Sequence, residues 1–497
     1  MKKSFIIPTL LFSTLFFHGS NTEAATFTDV STNIEEIDYL TEQGMINGYE
    51  NGTFRPYESL KRLQAVQMLM RDPSLNKPDI VPPDPGFTDV KPGDYGYEEI
   101  AMAVHLGIIS GKEDPTTNER YFDPWGKLTR AQMSKILTKT YHLSGQYDSE
   151  FRDVGSSYWA YDEINSLAAS NIAVGYPNNE YKPNEPLTRN HFALFLSRTK
   201  EERFRPDFKE ITFNEPLIEK AIRNQLAKPT GKITSYNMGA ITHLDLVDKS
   251  NRQIQIDDFT GLEYAVNLKS FRVALSWNSE PANLEFLKSL PRLESLSLYN
   301  LENENLEPLR TLEKLKHLTL QAGNVDLNQL KELSNLESLS VSIPMKNADF
   351  LLPLKNLKSI ELANYQNYDQ KLDLGMFKGF PNLTSLKISN TTAENAEELA
   401  ALKLTTLKLV DVYVHNYDWV SKLKTMEYLE LKGAFLTSES LEEIIFPLPN
   451  LKEVRLTVIG LNGTGGLDEE FLGMYSTFIS ELESRGVNVY FSFPIEL

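Results

Sequence analysis

From residue 241 onward, apolar residues recur as Leu-x-x-Leu-x-Leu, at Leu293/Leu296/Leu298, Leu315/Leu318/Leu320, Leu383/Leu386/Ile388 and Leu404/Leu407/Leu409. Looser copies begin at Leu268, Leu336, Leu357, Met426 and Leu451, and first positions advance by 21 to 26 residues. Alternation of this kind predicts a short strand whose leucines point inward and whose intervening residues point outward. A second apolar series at three-residue steps precedes the strands, as in Leu306, Leu309, Leu312 and Leu327, Leu330, Leu333. It predicts a short helix or 3₁₀ turn on the opposite side. One such repeat cannot bury its own apolar face, so neighbours must stack into an α/β solenoid. Residues 213–226 predict a helical cap before the repeats, residues 467–484 a helix after them, and 487–493 a last strand.

The outward set of the predicted strands includes Ser297, Thr319, Ser340, Glu361, Lys387, Lys408, Glu430 and Arg455. These are the candidate binding residues of a concave face. The middle repeats present small hydroxyls, which suit hydrogen bonding over a broad surface more than an aromatic hot spot. The alternative is a solvated sheet face on which small residues relieve crowding.

Before residue 200 the period is helical. Ile100, Val104 and Ile108 share one face, and Met133, Ile136 and Leu137 do the same further on. This pattern lies in a stretch, 87–135, that recurs three times. Phe87-Thr88-Asp89-Val90 leads through Gly107 and Gly111 to Phe122-Asp123-Pro124 and Leu128-Thr129-Arg130-Ala131-Gln132. Phe27-Thr28-Asp29-Val30 leads to Phe54-Arg55-Pro56 and Leu60-Lys61-Arg62-Leu63-Gln64, and Phe151-Arg152-Asp153-Val154 to Tyr181-Lys182-Pro183 and Leu187-Thr188-Arg189-Asn190-His191. Thr129 stands where a helix N-cap belongs, with Gln132 at the reciprocal capping-box position. Thr188 also suits a cap and Lys61 does not. Each unit reads as a helical hairpin of marginal size, so the three are expected to share a core. The segment 72–86 is proline-rich and reads as an extended spacer. The expected organisation is 1–24 signal peptide, modules at 25–71, 87–145 and 146–200, a linker and cap at 201–232, and repeats at 233–497.

Charge and composition narrow the function. With 68 acidic against 50 basic residues, a net charge of -18 argues against nucleic acid or an anionic membrane as partner. The absence of cysteine rules out disulfides, thiolate metal sites and a cysteine nucleophile. Lys2-Lys3, an apolar run over 5–17 and small residues at 22 to 24 read as a cleaved secretory signal, too short and too interrupted by Pro8 to span a bilayer. No other stretch is apolar enough to span, so no membrane contact is expected after cleavage. Residues 491–497 carry no sorting-type tail, which leads us to expect release or non-covalent retention at the surface.

The ordered motifs over 27–199 resemble the surface-layer homology (SLH) family, whose modules come in threes. The resemblance implies an all-α-type pseudo-trimer that binds pyruvylated secondary cell-wall polysaccharide in grooves between modules, with an arginine of the Thr-Arg-Ala-Glu/Gln motif reading the acidic ketal. Carried over by position, those arginines are Arg62, Arg130 and Arg189. A guanidinium fork matches a carboxylate in two hydrogen bonds. The implied set also takes in Asp29, Asp89, Asp153, Thr129, Gln132 and Thr188, with Tyr95 and Trp159 as aromatics able to stack on sugar. The competing reading is that each arginine simply pairs with an acid such as Asp29, Asp89 or Asp153. The first module has Thr32 in place of the aromatic and Lys61 in place of the threonine. Its groove is therefore expected to be weakest, and Arg130 and Arg189 to mark the best.

The repeats resemble bacterial, internalin-like leucine-rich repeats, and Ile241-Thr242-His243-Leu244-Asp245-Leu246 matches their opening repeat. That resemblance implies protein or glycan binding without naming a ligand. The family's asparagine, due eight residues after the first leucine, is replaced by Leu301, Gly323, Pro344, Tyr365, Thr391 and Val412, so an irregular arc is expected. Zinc-helix, nucleophile-elbow, phosphate-loop and calcium-loop motifs do not occur, and the seven histidines are scattered. The reading is a non-catalytic surface protein, anchored by its modules, without cofactor or metal. The alternatives are a surface-lattice subunit and a wall-remodelling enzyme.

Overall fold

The computed structural model describes residues 27–247, 256, 258–275, 282–302, 304–323, 325–342, 348–364, 371–434, 438–458 and 469–492. The expected signal peptide at 1–24 lies outside the described residues. The chain forms two compact units. One comprises residues up to 147, 153–175 and 181–207, the other 148–152, 176–180 and everything from 208.

The first unit holds six helices, two per module: α1 (Ile34–Glu42), α2 (Arg62–Met70), α3 (Tyr97–His105), α4 (Arg130–Tyr141), α5 (Tyr161–Ala169) and α6 (Arg189–Lys200). A two-stranded ribbon, β1 (Lys112–Glu113) with β2 (Arg120–Tyr121), lies in the loop of the second module. The helix starts follow the caps read from the sequence. Gln132 N donates to Thr129 Oγ1 at 3.3 Å while Thr129 N donates to Gln132 Oε1 at 3.2 Å. His191 N donates to Thr188 Oγ1 at 3.2 Å, and in the first module only Gln64 Oε1 contributes, accepting from Lys61 N at 2.9 Å.

The expectation of three helical hairpins needs correction. The principal helix contacts run between modules: α2 packs on α3, α4 on α5 and α6 on α1. The cause is visible in α2, where eight of nine residues are buried. A helix buried on nearly all sides needs neighbours on all sides, and a single short hairpin mate does not supply them. The three modules therefore close on one another around a ring of backbone bonds. Leu60 N donates to Leu187 O, Leu187 N to Leu128 O and Leu128 N to Leu60 O, at 2.8, 2.8 and 2.9 Å.

The second unit opens on α7 (Pro216–Leu226), which buries Ile218, Ile222 and Leu226, and a short turn, α8 (Ser235–Met238). The strands follow as β3 (His243–Leu246), β4 (Ser270–Ala274), β5 (Ser295–Leu301), β6 (His317–Ala322), β7 (Ser338–Ser342), β8 (Ser359–Ala363), β9 (Lys371–Asp373), β10 (Ser385–Glu394), β11 (Thr406–Tyr413), β12 (Tyr428–Ala434), β13 (Glu453–Val458) and β14 (Asn488–Ser492). They form one parallel sheet running from β3 to β14 in chain order, except that β9 pairs only with an extension of β10. The predicted turns are 3₁₀ helices, as at Glu307–Thr311 and Leu327–Glu332. Two further helices, α9 (Ser438–Ile445) and α10 (Glu469–Ser484), stand in the last repeats.

Pairing is more regular than the missing asparagines led us to expect, with register shifts only at Leu298/Leu301 and Lys432/Ala434 among the described strands. The turn residue stands seven, not eight, positions after the first leucine. Asn300, Asn390, Asp411 and Gly433 occupy it with φ of 61°, 57°, 52° and 79°, where short polar side chains and glycine tolerate the left-handed region. Asn300 Nδ2 donates to Leu275 O at 2.7 Å, one repeat back. A second ladder precedes the first leucine of a repeat: Asn267, Asn335, Asn356 and Asn450 donate to the carbonyls of Gly239, Glu313, Ser334 and Lys424 at 2.8 to 2.9 Å.

Candidate functional site

The three motif arginines occupy equivalent places, and each crosses a module boundary. Arg62 Nε donates to Phe122 O at 2.9 Å, Arg130 Nε to Tyr181 O at 2.7 Å and Arg189 Nε to Phe54 O at 2.8 Å. Each guanidinium also lies over the ring of the residue whose carbonyl it binds, at 4.8, 4.7 and 4.6 Å from the centroid. Their relative exposures are only 7%, 5% and 4%. Burial lowers the pKa of Arg62 and Arg189, offset for Arg62 by Asp123 and Asp89 and for Arg189 by Tyr49 and Glu58. Arg189 makes a further bond, from Nη2 to Asn47 O at 3.0 Å. The Nε–H is one of five donors on a guanidinium, so the carbonyl fixes the group without exhausting it.

The acids do not pair with these arginines; they build the loops on which the arginines rest. Asp29 accepts from the backbone of Phe54 and Arg55 at 2.7 and 2.8 Å, Asp89 from Phe122 and Asp123 at 2.8 and 2.7 Å, and Asp153 from Tyr181 and Lys182 at 2.8 and 2.7 Å. The second residue of each pair, Arg55, Asp123 or Lys182, holds a left-handed φ of 56° to 60°. Each carboxylate therefore stabilises a strained loop and aims its carbonyl at the neighbouring module. Burial pushes the Asp29 carboxyl up, but the backbone donors outweigh it and hold the group below its usual range.

The aromatics regroup once the packing is known. Tyr95 is 71% exposed and stacks on Trp125, centroids 6.3 Å apart and planes within 7°. Trp125 belongs to the loop whose neighbours, Pro124 and Gly126, accept the amides of Leu63 and Arg62. Arg62 is thus matched with the second module's Tyr95 and Trp125. By the same step Arg130 is matched with Trp159, beside which Lys135 of α4 lies 5.5 Å from the ring centroid. Arg189 meets the first module's Thr32 and Asn33, both hydrogen-bonded to Asn190. Ranking the modules by the arginine and aromatic each carries groups residues that the packing places at different module boundaries. Trp125 was missed altogether, although its place directly after Phe122-Asp123-Pro124 marks it as part of the repeated loop. Thr129, Gln132 and Thr188 act as caps in the structure.

On the sheet, the eight candidate residues form one continuous row. Register runs Asp245, Arg272, Ser297, Thr319, Ser340, Glu361, Lys387, Lys408, Glu430, Arg455 and Tyr490 across adjacent strands. Charges in the row are largely paired, Lys387 with Glu361, Lys408 with Glu430 at 3.8 Å and Arg272 with Asp245 at 3.5 Å. Such exposed pairs contribute about 0–1 kcal/mol each and are readily exchanged for a ligand. The last strands also carry aromatics beside these charges. Lys408 Nζ lies 4.4 Å from the Tyr428 centroid and Arg455 Cζ 4.4 Å from that of Tyr490. Among the described residues no His, Asp and Glu group is arranged to hold a metal ion, and no helix is long and apolar enough to cross a membrane.

Comparison with known proteins finds one family in the N-terminal region. Residues 26–66, 86–134 and 150–193 match the model of the S-layer homology domain. The chain is 27% identical to an S-layer protein of Bacillus thuringiensis subsp. finitimus, over 40% of this chain and 24% of that one. It is 27% identical to the S-layer protein sap of Bacillus anthracis, over 42% and 25%. An uncharacterized cell wall amidase of Bacillus anthracis is 26% identical over 44% of this chain and 42% of the relative. The match thus spans about a quarter of the length of the two S-layer proteins. Among solved structures, internalin inlF of Listeria monocytogenes aligns over 57% of this chain and 91% of its own, at 18% identity and a TM-score of 0.38. These similarities group the N-terminal region with cell-surface proteins. The N-terminal region is built of three S-layer homology domains, and the parallel-stranded unit that follows is a leucine-rich-repeat solenoid.

Proposed function

We propose that the chain is a non-catalytic surface protein held on pyruvylated secondary cell-wall polysaccharide by its three modules, and that the exposed row of its sheet recognises a protein or glycan. The observation that carries the anchoring is the threefold arginine. Each is buried, fixed through Nε across a module boundary and bordered by another module's loop. A guanidinium so held is pre-organised for a carboxylate. The exposed Tyr95–Trp125 stack and Trp159 supply apolar faces beside the first two arginines.

Co-sedimentation of the secreted chain with purified Bacillus cell walls tests this. Arg62→Lys and Arg130→Lys keep the charge but lose the fork. Each is expected to weaken binding about tenfold, the loss of one charge-assisted contact, and Arg189→Lys less, because Thr32 stands in its groove. Equal losses would refute the grouping of arginine with aromatic. Unchanged binding to walls stripped of the ketal would refute the pyruvyl assignment.

The S-layer relatives favour one second reading, a subunit of a surface lattice. Concentration-dependent sheet formation by the purified chain would support it, and a monomer at high concentration would count against it. A lytic zone in peptidoglycan zymography would overturn the non-catalytic reading.

A further inference from the structure

The three modules differ at one position two residues after the arginine: Gln64, Gln132 and His191. In the first two, the amide oxygen turns back to the helix start and accepts from the N–H of Lys61 or Thr129, at 2.9 and 3.2 Å. In the third, His191 keeps only the backbone half of that arrangement, donating its N–H to Thr188 Oγ1. Its ring instead stacks on Phe195 of the same helix, centroids 6.4 Å apart. Phe195 is the ring over which Arg130 also lies, with Cζ at 5.3 Å. A titratable imidazole and the groove's arginine thus flank one aromatic ring, and the imidazole remains solvent-accessible.

We infer that His191 is a further ligand-sensing residue of the Arg130 groove: an anionic group seated beside Arg130 draws a proton onto the imidazole, so this groove alone tightens as the medium acidifies. The inference rests on the anchoring reading above. The groups that face the ring are Arg130 from α4 and Glu185 from the loop before α6. Partial burial and then Arg130 hold the imidazole below its ordinary pKa of 6.5, with Glu185 acting the other way. In the empty groove the ring is therefore neutral at pH 7. An arriving anion offsets Arg130 and raises the pKa, so binding takes up a proton. By linkage, affinity then rises as the medium turns acidic. Gln64 and Gln132 have no ionisable proton, so their grooves lack this response.

The test uses the full secreted chain, purified Bacillus cell walls, and His191→Gln, which installs the residue found in the other two modules. Wild type is expected to bind about three- to tenfold more tightly at pH 5.5 than at pH 7.5. His191→Gln is expected to lose that ratio while keeping its melting temperature. Calorimetry with polysaccharide released from the walls, in two buffers of different ionisation enthalpy, should show proton uptake for wild type at pH 6.5 and less for the variant. Equal pH ratios and equal uptake in both proteins would overturn the role of His191. Failure of wild type to bind walls at either pH would overturn the anchoring reading and this inference with it.

Discussion

At the scale of single residues, the solenoid contains one carboxylate under strain. Glu304 is 7% exposed and its Oε2 is buried without a hydrogen-bond partner. Burial, reinforced by Glu302 and opposed by nearby backbone N–H groups, pushes its pKa up to about 7. Because the folded state holds this proton more tightly than the unfolded chain, stability falls as pH rises from the unfolded value near 4.5 to about 7, and stays lower above. Glu304→Gln should stabilise the protein at pH 8 by on the order of 1–2 kcal/mol. Thermal melts should show a gain of a few degrees at pH 8 and little or none at pH 5; equal shifts at both would refute a buried titrating acid. Nothing in the leucine pattern distinguishes Glu304 from the half-buried Glu302, since burial of a loop carboxylate depends on neighbouring repeats.

At the scale of elements, strands, 3₁₀ turns and helix caps were legible because they follow from local period and capping chemistry. The asparagine ladder was not read. The family's asparagine is due eight residues beyond the first leucine, whereas this chain places left-handed turn residues at the seventh in four repeats and runs another ladder immediately before that leucine. Asn335 and Asn356 each join adjacent repeats through one side-chain donor to a carbonyl. Asn356→Ala should leave the Ser334 carbonyl without this partner and cost about 1 kcal/mol. Urea unfolding provides the measurement, and a loss under 0.3 kcal/mol would mean that water replaces the amide at no cost. Pairing Asn335→Ala with Asn356→Ala should give non-additive losses, since Asn356 donates to the carbonyl of the peptide that joins Ser334 to Asn335.

At the scale of the whole molecule, the arginine positions were legible from the motif, but the module loop that each arginine borders was not. Which aromatic meets Arg62 depends on α2 packing against α3 of the next module, a long-range choice that no local period encodes. The same closure gathers a charged node from all three modules. Asp72, at the end of α2, is fully buried and accepts from Tyr141 Oη of α4 at 2.8 Å and from Lys200 Nζ of α6 at 2.9 Å. The sequence assigned Asp72 to the spacer because prolines follow it. Burial pushes its carboxyl up, but Lys200, Ser74 and Tyr141 together hold it below the usual range. Its contribution is therefore present above the unfolded value near 3.9 and is lost as pH falls through the lower folded one. Asp72→Asn should cost about 3–5 kcal/mol by leaving Lys200 without its partner. It should also flatten the acid limb of the stability curve below pH 4, and an unchanged limb would show that other carboxylates govern acid unfolding.

The ring of Leu60, Leu128 and Leu187 amides is a head-to-tail interface repeated until it closes on itself. Such an interface has two ends until its last member is in place, and those ends are complementary to the same ends of any other copy. The covalent chain supplies the third module at high effective concentration, which favours closure within one molecule over exchange between molecules. A chain deprived of its third module would keep one donor end and one acceptor end exposed. The expected product is a head-to-tail oligomer of truncated chains rather than a smaller stable anchor.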